Sequence, residues 1–214
     1  MPKSASEALC FNLSQCIHAA AQPLAVLRAS LGNNRVEQMS CEELRELAAS
    51  SAVEVERLCS LFGCLQQLVS TESSAPQMCE TQVLPLLAHV TEGVDLLFKE
   101  DRIVLSSALS QDCQPVLIDK ARTLQALSTV LLIAHAVSRP QDTVELIASS
   151  CPSNVVRIVV RNLTSNVESI NAETSLSMAF AEANIRSQQA DFSWSLKPFS
   201  VQIELQGAPL VHYC

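Results

Sequence analysis

The stretch Ile17-His18-Ala19-Ala20-Ala21-Gln22-Pro23-Leu24 decides the fold, because it places a histidine and a proline on one long amphipathic segment. A helix is predicted from about Ser4 to Leu31, since apolar residues recur there at spacings of three and four. This first apolar stripe consists of Leu9, Leu13, Ile17, Ala20, Leu24, Leu27 and Leu31. Pro23 removes one backbone hydrogen bond, so we expect the helix to bend just before it.

A second long helix follows almost at once. Gly32-Asn33-Asn34 suits a left-handed cap that ends the first helix, and Ser40-Cys41-Glu42-Glu43 fits a capping box that begins the next one. The second apolar stripe consists of Leu44, Leu47, Ala48, Val55, Leu58, Phe62, Leu65 and Val69. Two helices of about 28 residues form a hairpin about 40 Å long. One hairpin cannot cover both stripes, so we expect a homodimeric four-helix bundle; packing against its own chain is the alternative.

The remainder of the chain mixes helix and strand patterns. Residues 70–79 are polar and are interpreted as a linker. Helices are predicted at 84–98, 120–138 and 172–188, and strands at 103–105, 115–118, 143–149, 155–161, 191–196 and 200–205. The two strands at 143–149 and 155–161 form a predicted hairpin around the turn Cys151-Pro152-Ser153-Asn154. This order predicts an α/β sandwich, a mixed sheet with helices on one face, so the whole chain is of the α+β class.

Composition narrows the choice of partners. The 214 residues are 48% hydrophobic and carry a net charge of −8, which supports a buried core and argues against a nucleic-acid partner. Nine cysteines without paired C-x-x-C spacing are interpreted as reduced, mostly buried thiols, and no metal site is expected. The longest apolar run, Val130 to Val137, is far shorter than the roughly 20 apolar residues that a membrane-spanning helix needs.

The first residues bear on the location of the protein. Because Met1-Pro2-Lys3 leads directly into a polar helix start and not into the apolar segment of a secretory signal, we expect a cytoplasmic protein.

The hairpin resembles the dimerisation and phosphotransfer hairpin of two-component histidine kinases. That family's motif has the form His-acidic-x-x-polar-Pro-Leu, and His18, Gln22, Pro23 and Leu24 keep their places in it. Ala19 stands where the acidic residue is expected. The resemblance implies that His18 is a phosphoacceptor and that response-regulator receiver domains are the partners. Gln22 takes the position that orients a water against phosphoaspartate in kinases with phosphatase activity. The alternatives are an ordinary surface histidine and a polar surface glutamine.

The chain after residue 80 resembles the ATP-binding domain of the same kinases. Two short segments show the similarity. Residues 131–137 look like the family's Asn-Leu-Leu-x-Asn-Ala-Ile helix, and residues 198–205 look like its terminal Phe-x-Val-x-Leu strand. The magnesium-binding asparagine would align with His135 or Leu131, and His135 is interpreted as a core or groove histidine. The Asp-x-Gly-x-Gly box would follow Val160, with Arg161 in place of the aspartate.

Glycine is scarce in the region where this family wraps its nucleotide. No glycine occurs between Gly93 and Gly207, so no glycine-rich loop can hold phosphates by backbone N–H groups. We therefore expect no cofactor, no metal and no ATP-dependent kinase activity. The sequence predicts a hairpin domain at 1–72 and a degenerate ATPase-like domain at 80–214. The predicted function is that of a histidine phosphotransferase acting through His18, and the rival is a non-enzymatic adaptor, which Ala19 favours.

Overall fold

The structure is a computed structural model, and it describes residues 17, 20–32, 39–165 and 168–208. Two compact units are present. The first comprises Met1–Val69 with Asn171–Leu176, and the second comprises Ser70–Ile170 with Ser177–Cys214. Among the described helices, none is long and apolar enough to cross a membrane.

The first unit contains helix α1, residues 20–31, and most of helix α2, Cys41–Ser73. The predicted capping box of α2 is confirmed: Ser40 N donates to Glu43 Oε2 at 2.7 Å, and Glu43 N donates to Ser40 Oγ at 3.3 Å. The Ser40 N–H, and then the Ser40 hydroxyl, stabilise the carboxylate and lower the pKa of Glu43. The predicted start of the first helix, at about Ser4, lies outside the described residues.

The end of α1 differs from the expectation. Gly32 N donates to Arg28 O at 2.9 Å, so the helical bonding pattern continues through the glycine. The backbone of Gly32 is not left-handed, and the predicted cap is therefore wrong at this residue. Glycine is needed for another reason, because a Cβ atom there would lie 2.6 Å from Arg28 O. Asn33 and Asn34 lie outside the described residues.

The apolar stripe of α2 is open to solvent. From Val55 to Val69 its residues follow a heptad spacing, alternately three and four apart. Four large members are exposed: Leu44, Val55, Phe62 and Val69. Leu58 and Leu65 are half-buried. On α1, Leu24 and Leu31 are also exposed. A single chain therefore leaves much of both stripes uncovered.

The second unit is built on a mixed sheet with the strand order β2-β4-β5-β7-β6. Strand β2 is parallel to β4, and the other neighbours are antiparallel. The strands are β2 (Val104–Leu109), β4 (Thr143–Cys151), β5 (Val155–Asn162), β6 (Asp191–Leu196) and β7 (Phe199–Gln206). A separate antiparallel pair joins β1 (Cys79–Thr81) to β3 (Val116–Ile118). The predicted mixed sheet is confirmed, whereas the short strand β1 was not predicted.

Three helices cover the inner face of this sheet: α3 (Val83–Glu100), α4 (Lys120–Ala136) and α5 (Ala172–Arg186). Alternate residues of β4, β5 and β7 are buried and pack with these helices in one core. The opposite face carries cross-strand ion pairs, Arg157 with Glu204 and Arg161 with Glu145. Buried and polar rows thus alternate along β4, β5 and β7, as a sheet covered on one face requires.

Two other expectations need correction. Helix α2 continues to Ser73, so the predicted linker at 70–79 is helical in its first part and enters β1 at its end. Of the cysteines whose side chains are described, Cys41, Cys59 and Cys79 are exposed, Cys151 is half-buried and Cys113 is buried. The expectation of mostly buried thiols is wrong for these residues. The described thiols are all free.

Candidate functional site

Only part of the His-x-x-x-Gln-Pro-Leu motif of the first helix lies within the described residues. His18 and Ala19 lie outside the described residues. In the turn that follows, Ala20 and Pro23 are buried, whereas Gln22 and Leu24 are exposed. Alternation of this kind is what a helix with one covered face produces. The carboxamide of Gln22 is therefore on the solvent side, where a docking protein can reach it.

The turn after β5, where the resemblance to histidine kinases predicts a glycine box, begins with Asn162. Asn162 is fully buried. Its Nδ2 donates to Ser138 Oγ at 2.7 Å and to Asp142 Oδ2 at 2.9 Å. Its Oδ1 accepts from Thr164 N at 3.0 Å and from Ser165 N at 3.1 Å. Both amide protons and the carbonyl oxygen are thus engaged within the protein, so none is free for a base.

Asp142 closes the same network from the turn before β4. Its carboxylate accepts from Arg139 N at 2.9 Å and from Thr164 Oγ1 at 2.8 Å, besides the Asn162 amide. The Arg139 N–H, and then the Asn162 amide, lower the pKa of the Asp142 carboxyl. Ser165 Oγ accepts from Phe199 N at 3.1 Å, which ties the turn to β7. Hydrogen bonds therefore lock the loops at this edge of the sheet.

Arg161 does not enter this turn. It lies on the polar face of the sheet, where its Nε donates to Glu145 Oε2 at 2.6 Å. Because side chains alternate along β5, the side chain directed inward at its end is that of residue 162. Asn162, and not Arg161, is thus the buried polar residue at the end of β5.

His135 lies in the last turn of α4, against the end of α3. Its ring meets Phe98 edge to face, with ring centroids 5.1 Å apart, and its Nε2 lies 2.9 Å from Asp101 Oδ2. Leu131, the other candidate for the magnesium position, is fully buried in the core. The described parts of the chain contain no group of three metal-ligating side chains. This environment fits the interpretation of His135 as a core or groove histidine.

Sequence reasoning missed a polar cluster at the C-terminal end of α2, centred on Arg122. The guanidinium donates to Thr71 O at 3.2 Å, to Ser187 Oγ at 2.9 Å and to Ser74 O at 2.8 Å. It also lies 3.5 Å from Asp119 Oδ2. Helix α2 has no basic residue in its own last turn. Arg122 therefore supplies, from α4, the donors that satisfy carbonyls at the end of α2.

Asp119 positions this arginine. It is the N-cap of α4, and its carboxylate accepts from Arg122 N at 3.1 Å and from Gln77 N at 2.8 Å. Its own N–H donates to Gln188 Oε1 at 2.6 Å, and Thr71 Oγ1 bonds Asn184 Oδ1 at 3.1 Å. The sequence offered one signal for this cluster: Asp119 lies three residues before Arg122, at the start of a predicted helix, where an aspartate is a favoured N-cap.

Solved structures of histidine kinases have folds similar to that of this chain. No family model matches the sequence, and no curated protein sequence matches it. The histidine kinase AdeS of Acinetobacter baumannii is 16% identical, with 88% of this chain and 97% of that chain aligned at a TM-score of 0.69.

The histidine kinase ThkA in complex with the response regulator TrrA is 12% identical, with 94% of this chain and 62% of that chain aligned at a TM-score of 0.71. A nucleotide-free catalytic domain of ThkA, also 12% identical, aligns over 62% of this chain and 99% of its own at 0.54. At such identities a likeness establishes the fold alone. The protein has a histidine-kinase-like fold, as its sequence predicted.

Proposed function

We propose that this chain is a cytoplasmic, homodimeric histidine phosphotransferase of two-component signalling. His18 would take a phosphoryl group from one response-regulator receiver and pass it to another. The proposal is supported by the combination of a kinase-like fold with a closed corner at Asn162, the turn after β5 where the resemblance places the nucleotide. The amide protons and the carbonyl oxygen of Asn162 are engaged by the protein's own groups, so none is free for a base. A kinase fold without an ATP site keeps phosphotransfer between proteins as its remaining chemistry.

The hairpin supports the same proposal. Gln22 and Leu24 are exposed beside the buried Pro23. Helical spacing would place His18 one turn before Gln22, on the same side of the helix. Receiver domains are the proposed partners, since one structural relative, ThkA, was solved with a response regulator. They would dock along this exposed face of the first helix.

The proposed transfer requires few catalytic groups from this chain. In the forward step a ring nitrogen of His18 attacks the phosphorus of a receiver phosphoaspartate. The nitrogen–phosphorus bond forms, the bond from phosphorus to the aspartate oxygen breaks, and the imidazole proton passes to water. The receiver supplies the activated phosphoryl group, so catalysis consists mainly of positioning. In the resembled kinases, the acidic residue after the histidine acts as a base in the reaction with ATP. Ala19 stands at that position and cannot act as a base.

Homodimerisation would complete the binding surface. The exposed residues of the α2 stripe, Leu44, Val55, Phe62 and Val69, belong to one heptad seam. Burial of an aliphatic or aromatic side chain contributes about 1.5–3 kcal/mol. Pairing of two hairpins as a four-helix bundle would cover both copies of this seam. This arrangement would place two phosphotransfer sites in one particle.

The decisive experiment is label transfer from a receiver phosphorylated with ³²P. The wild-type chain should take acid-labile, base-stable label, and His18→Ala should take none. Gln22→Ala is the matched control on the same face of the helix: it should keep the label and at most slow the loss of phosphate from the receiver. Label on the His18→Ala variant would place the acceptor elsewhere and refute the assignment.

The second candidate function is an adaptor that binds receivers without accepting a phosphoryl group, and Ala19 favours it. The same experiment separates the two functions. An adaptor would bind the phosphorylated receiver, with equal affinity for the wild type and His18→Ala, and neither would become labelled. Binding measured by calorimetry alongside the labelling reaction supplies this comparison.

A further inference from the structure

Strand β2 is an open edge of the five-stranded sheet. Val104 N donates to Asp142 O at 2.9 Å, and Ser110 N donates to Ala148 O at 3.0 Å. Alternate residues of a parallel strand face the same neighbour, so the N–H and C=O groups of Leu105, Ser107 and Leu109 face away from β4. Within the described part of the chain, β2 pairs with β4 alone.

This edge lacks the features that normally prevent strand pairing. Residues 103–111 contain no charge and no proline. Natural edge strands are usually protected by charged residues, proline or bulges. The opposite edge, β6, begins at Asp191 and is followed by Lys197-Pro198. The two edges therefore differ, and β2 is the one free to accept another strand.

The side chains of β2 are also incompletely covered. Val104 on the polar face is 54% exposed. Leu105 and Leu109 pack against the core on the helix side but remain only partly buried. A strand added beside β2 would cover the rest of both leucines. Backbone hydrogen bonds and apolar contact would then act together, as in other cases of strand addition.

We propose that the occupant of this edge is β2 of a second copy, paired antiparallel about a two-fold axis at Ser107. This register sets Ser107 opposite Ser107 and Leu105 opposite Leu109. It pairs every outward-facing backbone group and forms about six hydrogen bonds. It also gives two Leu–Leu contacts on the helix side of the joined sheet. The interface is isologous, because each strand presents the same residues to the other.

Charges at the ends of the strand favour a second copy over a foreign strand. Arg102 precedes the neutral segment and Asp112 follows it, and both are exposed. The same register brings the Arg102 end of one copy beside the Asp112 end of the other, at both ends of the interface. An unrelated strand would use the backbone groups equally well but would have no need for this charge pairing.

The first test places like charges at the two-fold axis. Ser107→Asp should weaken self-association about tenfold, because the two carboxylates would be directly opposite each other. Ser193→Asp introduces the same change on the exposed β6 edge and should leave association unchanged. Sedimentation velocity over a concentration series, with a protomer mass of 23.2 kDa, measures both changes in the Phe62→Glu background, where the proposed hairpin dimer cannot mask them. Equal behaviour of Phe62→Glu with and without Ser107→Asp would overturn the proposal.

A charge swap tests the register without disturbing the strand itself. Arg102→Asp and Asp112→Arg should each weaken association, and the double variant should restore it to within about twofold. Weakening by both single changes without rescue would indicate a foreign strand or a different register, and would refute the proposed pairing.

The hairpin dimer is tested separately by Phe62→Glu. If both interfaces form, each of Phe62→Glu and Ser107→Asp leaves a dimer, and the combined variant is a monomer. A wild-type dimer that is lost with Phe62→Glu alone refutes the β2 pairing and leaves the hairpin dimer intact. A dimer that is lost with Ser107→Asp alone refutes the hairpin dimer and supports the β2 pairing.

Discussion

Arg122 offers a direct test of how the end of α2 is held. Its guanidinium makes hydrogen bonds to carbonyl or hydroxyl oxygens of Thr71, Ser74 and Ser187 and an ion pair with Asp119, and its side chain is only 11% exposed. Arg122→Met keeps most of the aliphatic stem but removes every donor. Breaking one partner of a buried pair costs about 3–5 kcal/mol, since the remaining groups lose their bonds without regaining water. We expect a loss of that size in the free energy of unfolding.

Urea denaturation measures this loss, because the midpoint falls with stability while the slope reports the surface exposed. Arg45→Met is the matched control: its side chain is 79% exposed and pairs with Glu42 at 3.3 Å. A surface pair of this kind contributes about 0–1 kcal/mol, so the control should stay close to wild type. Hydrogen exchange at residues 70–73 should accelerate in the Arg122 variant and not in the control.

Arg122→Lys refines the test. Lysine keeps the charge but lacks the planar fork that reaches several oxygens at once, so it should recover only part of the lost stability. A loss below about 1 kcal/mol for Arg122→Met, comparable to one ordinary hydrogen bond, would refute the reasoning. Unchanged exchange at residues 70–73 would refute it equally, because the carbonyls at the end of α2 would then be held by other groups.

Three further predictions concern the candidate site and the dimer. Asp142→Asn should lower the free energy of unfolding at neutral pH. Because folding lowers the pKa of Asp142, its carboxylate stabilises the protein above the unfolded-state pKa, about 3.9, and this stabilisation disappears as pH falls through the folded-state pKa. The free energies of unfolding of the variant and the wild type should therefore become equal in acid. Magnesium-ATP should not raise the melting temperature, whereas a ligand at one hundred times its Kd would add about 2.7 kcal/mol; a saturable rise would contradict the closed corner. Phe62→Glu should reduce the mass measured by light scattering, since a charge cannot be buried in the proposed seam.

The sequence predicted most elements because their patterns are strong and local. The β4–β5 hairpin follows from β-branched residues on both sides of the turn, where Ser153 and Asn154 adopt the left-handed conformation. Strand β1 escaped prediction because three residues are too few to show alternation. The last turn of α2 escaped because its stability comes from Arg122, about fifty residues further along the chain, and not from its own serine-rich sequence.

The candidate site was less predictable for the same physical reason. The absence of glycine predicted that a phosphate loop is missing, but it did not predict the hydrogen bonds that hold the turn after β5. Asn162 bonds Ser138, Asp142, Thr164 and Ser165. Two of these partners precede it by about twenty residues, so no short motif contains the network. Arg161 and Asn162 are neighbours on opposite faces of β5, so a shift of one residue in the sequence match would exchange the inward and outward side chains.

The hydrogen bonds of Asn162 explain how the turn after β5 is held without a glycine. The N–H groups of Thr164 and Ser165 both donate to Asn162 Oδ1. Each such bond contributes about 0.5–1.5 kcal/mol to folding. Under the proposed function, a base could engage the Asn162 amide only after some of these bonds were broken, and that cost would oppose nucleotide binding. Asn162 would then stabilise the α/β unit and exclude the ligand through the same contacts.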